Sequence, residues 1–373
     1  MLPETMRAAR MYDVGSEMVI EQVPTPKPEA LDVVVKVHAC NLVPNLGNVL
    51  KNWTTWFPQL PLPRLPATFG LDAAGTIAAL GSAVTGLKVG DRVYVNPGRS
   101  CGSCDACRAM NPIACGAYVF QGYFGFSPRA QETFDRYPFG GLCEYMNVPA
   151  SAIVTLPDNV TCQQASRLGY TGTGYSALRK GGAGPNVTTM ITGASGTLGL
   201  GTLLCALGMG VTRILAVARN KDLLEEVRGI APQRITTHSL LDGPVAPWAM
   251  EQTNGQGVDL VVNCLGPGAE PGQMLDELEC LRRCGRLVNV GAIAAPTPVD
   301  VHTMMDRNQS LIGSAWFTTP EGQEMAEMIR GGTLDMSVFR QESYTLDQVN
   351  EVLGGIDNRH GGFSNFTVVP NPE

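Results

Sequence analysis

The 373-residue sequence predicts a two-domain α/β protein, in which a β-rich domain is interrupted by a doubly wound parallel sheet. Three features predict this. The first 160 residues are rich in proline and glycine and carry short alternating runs, such as Val33-Val34-Val35-Lys36-Val37 and Arg92-Val93-Tyr94-Val95, which read as strands divided by turns. From about residue 185 apolar strands (188–192, 213–219, 234–238, 259–264, 286–290 and 310–314) alternate with helical stretches (199–208, 221–228 and 273–284). The chain then returns to the first pattern: a helix at about 320–330, a capping-box pair, Thr345 and Gln348, before one last helix, and a strand at 365–369. The expected boundaries are 1–168 with 317–373 for the β-rich domain and 169–316 for the parallel-sheet domain.

Apolar residues make up 44% of the chain and charged residues 16%, the balance of a folded globular protein. A net charge of −7 argues against a broad nucleic-acid or anionic-membrane surface, though not against a local basic pocket for one phosphate. No apolar run reaches the roughly 20 residues that span a bilayer. The first 15 residues lack the apolar core of an export signal, so a cytoplasmic protein is expected. Eleven cysteines, an odd count, then favour thiols and a metal site over disulfides. Cys40, Cys143, Cys162, Cys205, Cys264, Cys280 and Cys284 are scattered, mostly among apolar neighbours, and read as small buried hydrophobes.

The segment Ile191-Thr192-Gly193-Ala194-Ser195-Gly196-Thr197-Leu198-Gly199 follows a predicted strand and opens a predicted helix. Its G-x-x-G-x-x-G spacing is a variant of the dinucleotide fingerprint. Without side chains, backbone N–H groups and the helix N-terminus can approach a pyrophosphate. A tight strand-to-helix turn without a ligand is the plainer alternative. The next strand distinguishes the cofactors. An NAD site normally ends it with an acid that accepts from the ribose hydroxyls. Here Ala218 stands there, followed by Arg219 and Lys221. An acid would repel a 2′-phosphate, whereas a guanidinium pairs with it, so NADP(H) is the expected cofactor. A solvated surface arginine would leave the missing acid unexplained.

Cys101, Cys104, Cys107 and Cys115 follow the pattern C-x2-C-x2-C-x7-C. Four thiolates satisfy zinc's tetrahedral demand and leave no open position, so one structural zinc is expected; iron–sulfur ligation fits this spacing less well.

These features coincide with the stretch from Gly70-Leu71-Asp72-Ala73-Ala74-Gly75 to Gly90-Asp91-Arg92-Val93. Together they resemble the zinc-type alcohol dehydrogenases of the medium-chain dehydrogenase/reductase superfamily, over almost the whole chain. The resemblance implies a GroES-like catalytic domain with a zinc lobe at about 98–116, a Rossmann domain, an intervening cleft, and homodimers or homotetramers. The family's catalytic zinc is held by a Cys, a His and a second Cys. By register those places hold Val43, Leu71 and Gly169, so no catalytic zinc is expected. Cys40 and His38 share a strand face, but two ligands are too few. The N-terminal Val35-Lys36-Val37-His38-Ala39-Cys40 run looks instead like the zinc-free quinone oxidoreductase branch.

The resemblance also assigns candidate roles. Thr173 and the Val290-Gly291 turn should lie against the nicotinamide, with Ser314 and Trp316 meeting its carboxamide through their backbone. Proton donors or anchors are sought among Tyr170, Asn45, Asn48 and Asp72, with Tyr170 preferred because it adjoins the lost ligand position. Trp53, Trp56 and Phe57, with Pro58, Pro61 and Pro63, read equally as an apolar substrate wall or as core. Without a Lewis acid, the acceptor is expected to be an activated apolar carbonyl-type compound: an enone, quinone or iminium. A zinc-independent alcohol/ketone dehydrogenase and an inactive NADPH-binding module are the alternatives.

Overall fold

A computed structural model of the chain describes residues 1–293 and 295–372. A hairpin of β1 (Thr5–Arg10) and β2 (Val19–Pro24) opens it. There follow β3 (Asp32–Asn41), the short helices α1 (Leu46–Lys51) and α2 (Trp53–Trp56), β4 (Asp72–Leu80) and β5 (Arg92–Val95). A small lobe carries β6 (Gly98–Arg99), α3 (Asp105–Arg108) and β7 (Val119–Phe120). Beyond it come α4 (Ala130–Arg136), β8 (Tyr145–Pro149), β9 (Ile153–Thr155), α5 (Cys162–Ala165) and the long α6 (Leu168–Gly181).

Strict alternation begins next: β10 (Thr189–Thr192), α7 (Thr197–Gly208), β11 (Ile214–Ala218), α8 (Lys221–Ile230), β12 (Ile235–Ser239), α9 (Val245–Gln252), β13 (Val258–Asn263), α10 (Pro271–Glu279), β14 (Leu281–Asn289), α11 (Val301–Arg307) and β15 (Ser310–Gly313). The last elements are α12 (Thr319–Arg330), β16 (Arg340–Thr345), α13 (Val349–Gly355) and β17 (Ser364–Val369).

Two large sheets organise these elements. Strands β12-β11-β10-β13-β14-β15 form one wholly parallel sheet. Helices cover its faces, so β10 and β11 are buried at every residue, and β11 reads as an unbroken apolar run. Strand order reverses between β10 and β13, which opens a crevice at their carboxyl ends. The other sheet runs β16-β17-β3-β4-β5-β9, with β8 also on β3. The C-terminal β17 pairs antiparallel with β3 at Val368–Cys40, which returns the end of the chain to the first sheet.

Some expectations change. The helix read at 273–284 stops at Glu279; β14 begins two residues later, and Cys284 there takes a left-handed φ of 62°. The Thr345–Gln348 capping box forms, but its first turn is a tight 346–348 helix leading into α13. A second box, Thr318 with Glu321, starts α12. Six of the scattered cysteines are buried, whereas Cys284 is exposed. Among the described residues no helix is long and apolar enough to cross a membrane.

Candidate active site

The glycine-rich turn sits at the sheet's switch point. Gly193, just past β10, takes φ 66°, a region that L side chains rarely adopt. A Cβ on Gly199 would overlap the Gly193 carbonyl, so the third glycine lets α7 pack onto the turn. Gly196 caps α7 without a side-chain bond. The first-turn amides of this twelve-residue helix therefore face the crevice unclaimed by a cap. Thr197 is buried and its hydroxyl has no partner among the described residues, Ser195 is buried, and Leu198 is half-buried. Across this turn lies a segment that sequence reading missed. The Gly362 N–H donates to the Ser195 carbonyl at 2.8 Å, and a Cβ on Gly362 would overlap the Gly196 carbonyl. The Gly361-Gly362 pair was its only sequence signal.

At the end of β11, Ala218 is buried. The Arg219 side chain is exposed, with no hydrogen bond or ion pair among the described residues. Lys221, expected beside it, is instead ion-paired with Asp242. Arg219 is therefore the free cation of the two.

At the carboxyl ends of β13 and β14, the Val290 and Gly291 amides donate to the Asn263 carbonyl at 3.0 and 2.9 Å. A Cβ on Gly291 would come 2.6 Å from the Asn263 amide oxygen. The Asn263 amide donates to Glu277 Oε2 at 2.7 Å, and burial pushes the Glu277 carboxyl up to about 7. Ser314 accepts a 2.8 Å bond from Lys180, and the Trp316 indole donates to Asn96 at 3.1 Å. Thr173 lies within α6, with its hydroxyl donating to the Gly169 carbonyl at 3.0 Å.

Three elements meet at the place where the resemblance puts a catalytic metal. Val43 and Leu71 are buried and carry no donor atom. Gly169, on α6, lies directly against Asp72 at the start of β4, and a Cβ there would overlap both carboxylate oxygens. A side chain at 169 and the Asp72 carboxyl therefore compete for one volume. Asp72 is fully buried; the Tyr94 phenol donates to its Oδ1 at 2.6 Å, and Oδ2 has no partner among the described residues. Burial raises this carboxyl to about 7, against the pull of the Tyr94 bond and the Arg167 charge. Cys40, also buried, is not joined to His38, which bonds Thr76 and the Asn371 carbonyl.

Tyr170 follows Gly169 and is partly exposed. Burial raises its phenol to about 12, and Asp72 adds to the rise. Its neighbour is the buried phenol of Tyr123. A line of side-chain amides continues from there: Asn45 donates to Tyr123 at 3.2 Å, Asn48 to Asn45 at 3.2 Å, and Asn52 to Asn48 at 3.4 Å. The spacing 45, 48, 52 puts the three amides along one face of α1. Three of the four expected donors thus belong to one polar chain, completed by Tyr123, which no sequence signal had marked. Trp53 is buried, with ring centroids 4.6 Å from Phe57 and 4.5 Å from Phe124, whereas Trp56 is exposed. The residues read as an apolar wall therefore divide between core and surface.

The four thiols expected to hold zinc converge. Their sulfurs all lie within 4.8 Å of one another, with Cys104 to Cys107 at 3.5 Å and Cys101 to Cys107 at 4.0 Å. A zinc tetrahedron with 2.3 Å bonds has edges of about 3.8 Å, so the residues fit the ion. Backbone N–H groups of Cys104 and Cys101 approach the sulfurs of Cys101 and Cys115 at 3.4 Å, which favours thiolates. Backbone N–H groups of Ser103 and Cys104 bring Cys101 down to about 6, whereas burial pushes Cys115 up to about 12. Among the described residues no other group of three or more His, Cys, Asp or Glu side chains is gathered to hold an ion.

The profile of the alcohol dehydrogenase GroES-like domain matches residues 29–158, and that of the zinc-binding dehydrogenases matches residues 197–331. The sorbitol dehydrogenase of Bacillus subtilis is 26% identical over 375 residues, covering 94% of each chain. The fold superposes on AibC with a TM-score of 0.83 at 23% identity, over 99% of this chain and 96% of that one. A candidate zinc-binding dehydrogenase of Sinorhizobium meliloti, solved bound to NADP, gives a TM-score of 0.80 at 21% identity, over 99% of this chain and all of the other. With both domain profiles matched in order along one chain, the protein belongs to the medium-chain dehydrogenase/reductase superfamily of NAD(P)-dependent oxidoreductases.

Proposed function

We propose that the chain reduces a conjugated or otherwise activated apolar carbonyl-type substrate (an enone, quinone or iminium) with NADPH. One zinc sits in the four-thiolate lobe and none at the reaction centre. The observation that carries this reading is the Asp72 carboxyl, which lies over Gly169 while Val43 and Leu71 supply only hydrocarbon. Those residues do not fit a tetrahedral zinc site. Stabilisation of developing oxygen charge then falls to the acceptor's own conjugation and to protein donors.

When bound, NADPH supplies the hydride. Gly193, Gly196 and Gly199 keep the entry to α7 open for its pyrophosphate, and Arg219 offers an uncommitted guanidinium to a 2′-phosphate. Tyr170 holds its proton throughout the neutral range, so it can donate to a product oxygen or enolate. Its neighbour Tyr123 is in turn held by the Asn45–Asn48–Asn52 amides.

A second reading is a zinc-independent NADP-dependent alcohol or ketone dehydrogenase, favoured by the likeness to a sorbitol dehydrogenase. Reduction of cyclohex-2-enone with C4-deuterated NADPD separates the two. Deuterium on the β carbon of cyclohexanone supports ene reduction. Deuterium on the carbinol carbon of cyclohexenol sinks the lead reading in favour of the second. Binding of NADPH without turnover of any enone, quinone, iminium or ketone would sink both.

We also propose a homodimer, joined along the β15 edge of the parallel sheet. Among the described residues that edge has no neighbouring strand, and Leu311, Val301 and Met305 are exposed beside it.

A further inference from the structure

Beyond β15 the chain crosses to α12 through residues 314–318, which belong to no strand or helix. Trp316 and Phe317 in this crossing are nevertheless buried, at 5% and 1% exposure. Among the described residues their hydrogen bonds all go to one side chain. The Asn96 amide oxygen accepts from the Trp316 indole at 3.1 Å, and the amide nitrogen donates to the Phe317 carbonyl at 3.2 Å. The backbone N–H groups of Trp316 and Phe317 donate to no described residue, which leaves them to a ligand.

Asn96 is itself firmly held. It lies between β5 and β6, 3% exposed, with its N–H on the Ala152 carbonyl at 3.0 Å and its own carbonyl taking the Arg99 guanidinium. Its amide oxygen also accepts from the Gly98 N–H at 3.0 Å. Gly98 and Arg99 form β6, which pairs with Val119–Phe120 and leads through Ser100 to Cys101, the first thiol of the zinc lobe. Trp316 meets the same lobe: its ring centroid lies 4.6 Å from that of Phe120 on β7. An asparagine suits this place because one rigid group must accept two N–H bonds and give one. Alanine would strand three groups, and aspartate would set a carboxylate against the Phe317 carbonyl.

We infer that Asn96 is a positioning residue for the cofactor: it fixes the Trp316-Phe317 backbone and fastens it to the root of the four-thiolate lobe. The inference rests on reading this crossing as the segment that meets the nicotinamide carboxamide, and it adds what sets that segment's place. Zinc on the four thiols folds the lobe, and through β6 and Asn96 that order reaches the crossing. Coupling between two binding sites is reciprocal, so the nicotinamide end of the cofactor should in turn tighten the hold on zinc. A purely structural Asn96 would join the lobe to β5 and leave the cofactor indifferent.

Calorimetric titration of the zinc-loaded, full-length protein tests this without any substrate. The probes are NADPH and ADP-ribose 2′-phosphate, which lacks the nicotinamide. N96A should raise the Kd of NADPH at least about tenfold and leave that of the truncated nucleotide within about twofold. Equal weakening of both marks general destabilisation and overturns the inference; so does weakening of neither. A second measurement needs no variant and so survives a failure of N96A to fold. In competition with a chromogenic chelator, the unsubstituted lobe should hold zinc at least about fivefold more tightly with NADPH than with ADP-ribose 2′-phosphate. Equal zinc affinities would equally overturn it. Either failure leaves the deuterium-labelling outcome untouched, whereas an unsubstituted protein that binds no NADPH would sink the proposed function first and this inference with it.

Discussion

The Asp72 carboxyl occupies the space that any side chain on Gly169 would need. Two residues 97 positions apart thus exclude each other, and the pair explains both the bare α6 position and the buried acid beside it. G169A should therefore destabilise the protein by about 1–3 kcal/mol, the cost of overpacking, despite alanine's better helix propensity. In a D72A background the same change should cost much less, because the competing carboxyl is gone. Equal unfolding free-energy losses in the two backgrounds would refute the overlap. Restoring Cys, His and Cys at 43, 71 and 169 should likewise fail to gain a second zinc while Asp72 remains.

Much of the parallel sheet was legible because its central strands are buried on both faces and so run nearly unbroken in apolar residues, as at Ile214–Ala218. The four thiols and the glycine spacing were legible because their chemistry depends on short-range sequence intervals. Helix α6 was not. Gly169, Gly172 and Gly174 disguise its periodicity, and only tertiary packing explains them, against Asp72, Phe317 and Thr202 in turn. Tyr123 and Asn96 were invisible for a related reason. Their partners lie far along the chain, Asn45 78 residues from Tyr123 and Trp316 220 residues from Asn96.

Tyr170 and its polar chain make a kinetic prediction. Y170F removes the proposed donor while leaving the ring in place, so kcat for the enone should fall about 10²–10⁴-fold. NADPH affinity, read by fluorescence titration, should hardly change. Y123F keeps Tyr170 but breaks the link to Asn45, and should cost distinctly less. Equal losses in both variants would make Tyr123 as important as Tyr170 and displace the assignment.

Arg219 makes a nucleotide-selectivity prediction. Among the described residues its guanidinium has no partner, whereas Lys221 is held by Asp242. R219A should raise the KM for NADPH at least about tenfold, the loss of roughly 1.5–3 kcal/mol of charge-assisted hydrogen bonding, with little effect on NADH. K221A should do less. If both nucleotides weaken alike, Arg219 has no role at a 2′-phosphate.

The thiol lobe makes an analytical prediction. Elemental analysis should give about one zinc per chain, and C104S should abolish it, since three thiolates leave the tetrahedron open. The folding energy that metal binding supplies to the lobe would go with it. Limited proteolysis should then cut first between residues 98 and 116. Two zinc ions per chain in the unsubstituted protein would contradict both this count and the metal-free reaction centre.

Glu277 makes a prediction about stability and pH. It is 2% exposed, and burial raises its carboxyl from the ordinary value near 4.5 to about 7, even with the Asn263 amide bonded to it. Between those two values the folded protein holds a proton that the unfolded chain has released. Its contribution to stability is therefore complete below about pH 4.5 and is lost as pH rises through 7. E277Q stays neutral and can still accept from Asn263. It should remove this part of the pH dependence and make the protein more stable at pH 8 by on the order of 2–3 kcal/mol. Denaturant melts at pH 5 and pH 8 measure both effects. If E277Q lowers stability at pH 8, the carboxylate is satisfied in its charged form, and the burial of Glu277 must be offset by a contact stronger than the Asn263 bond.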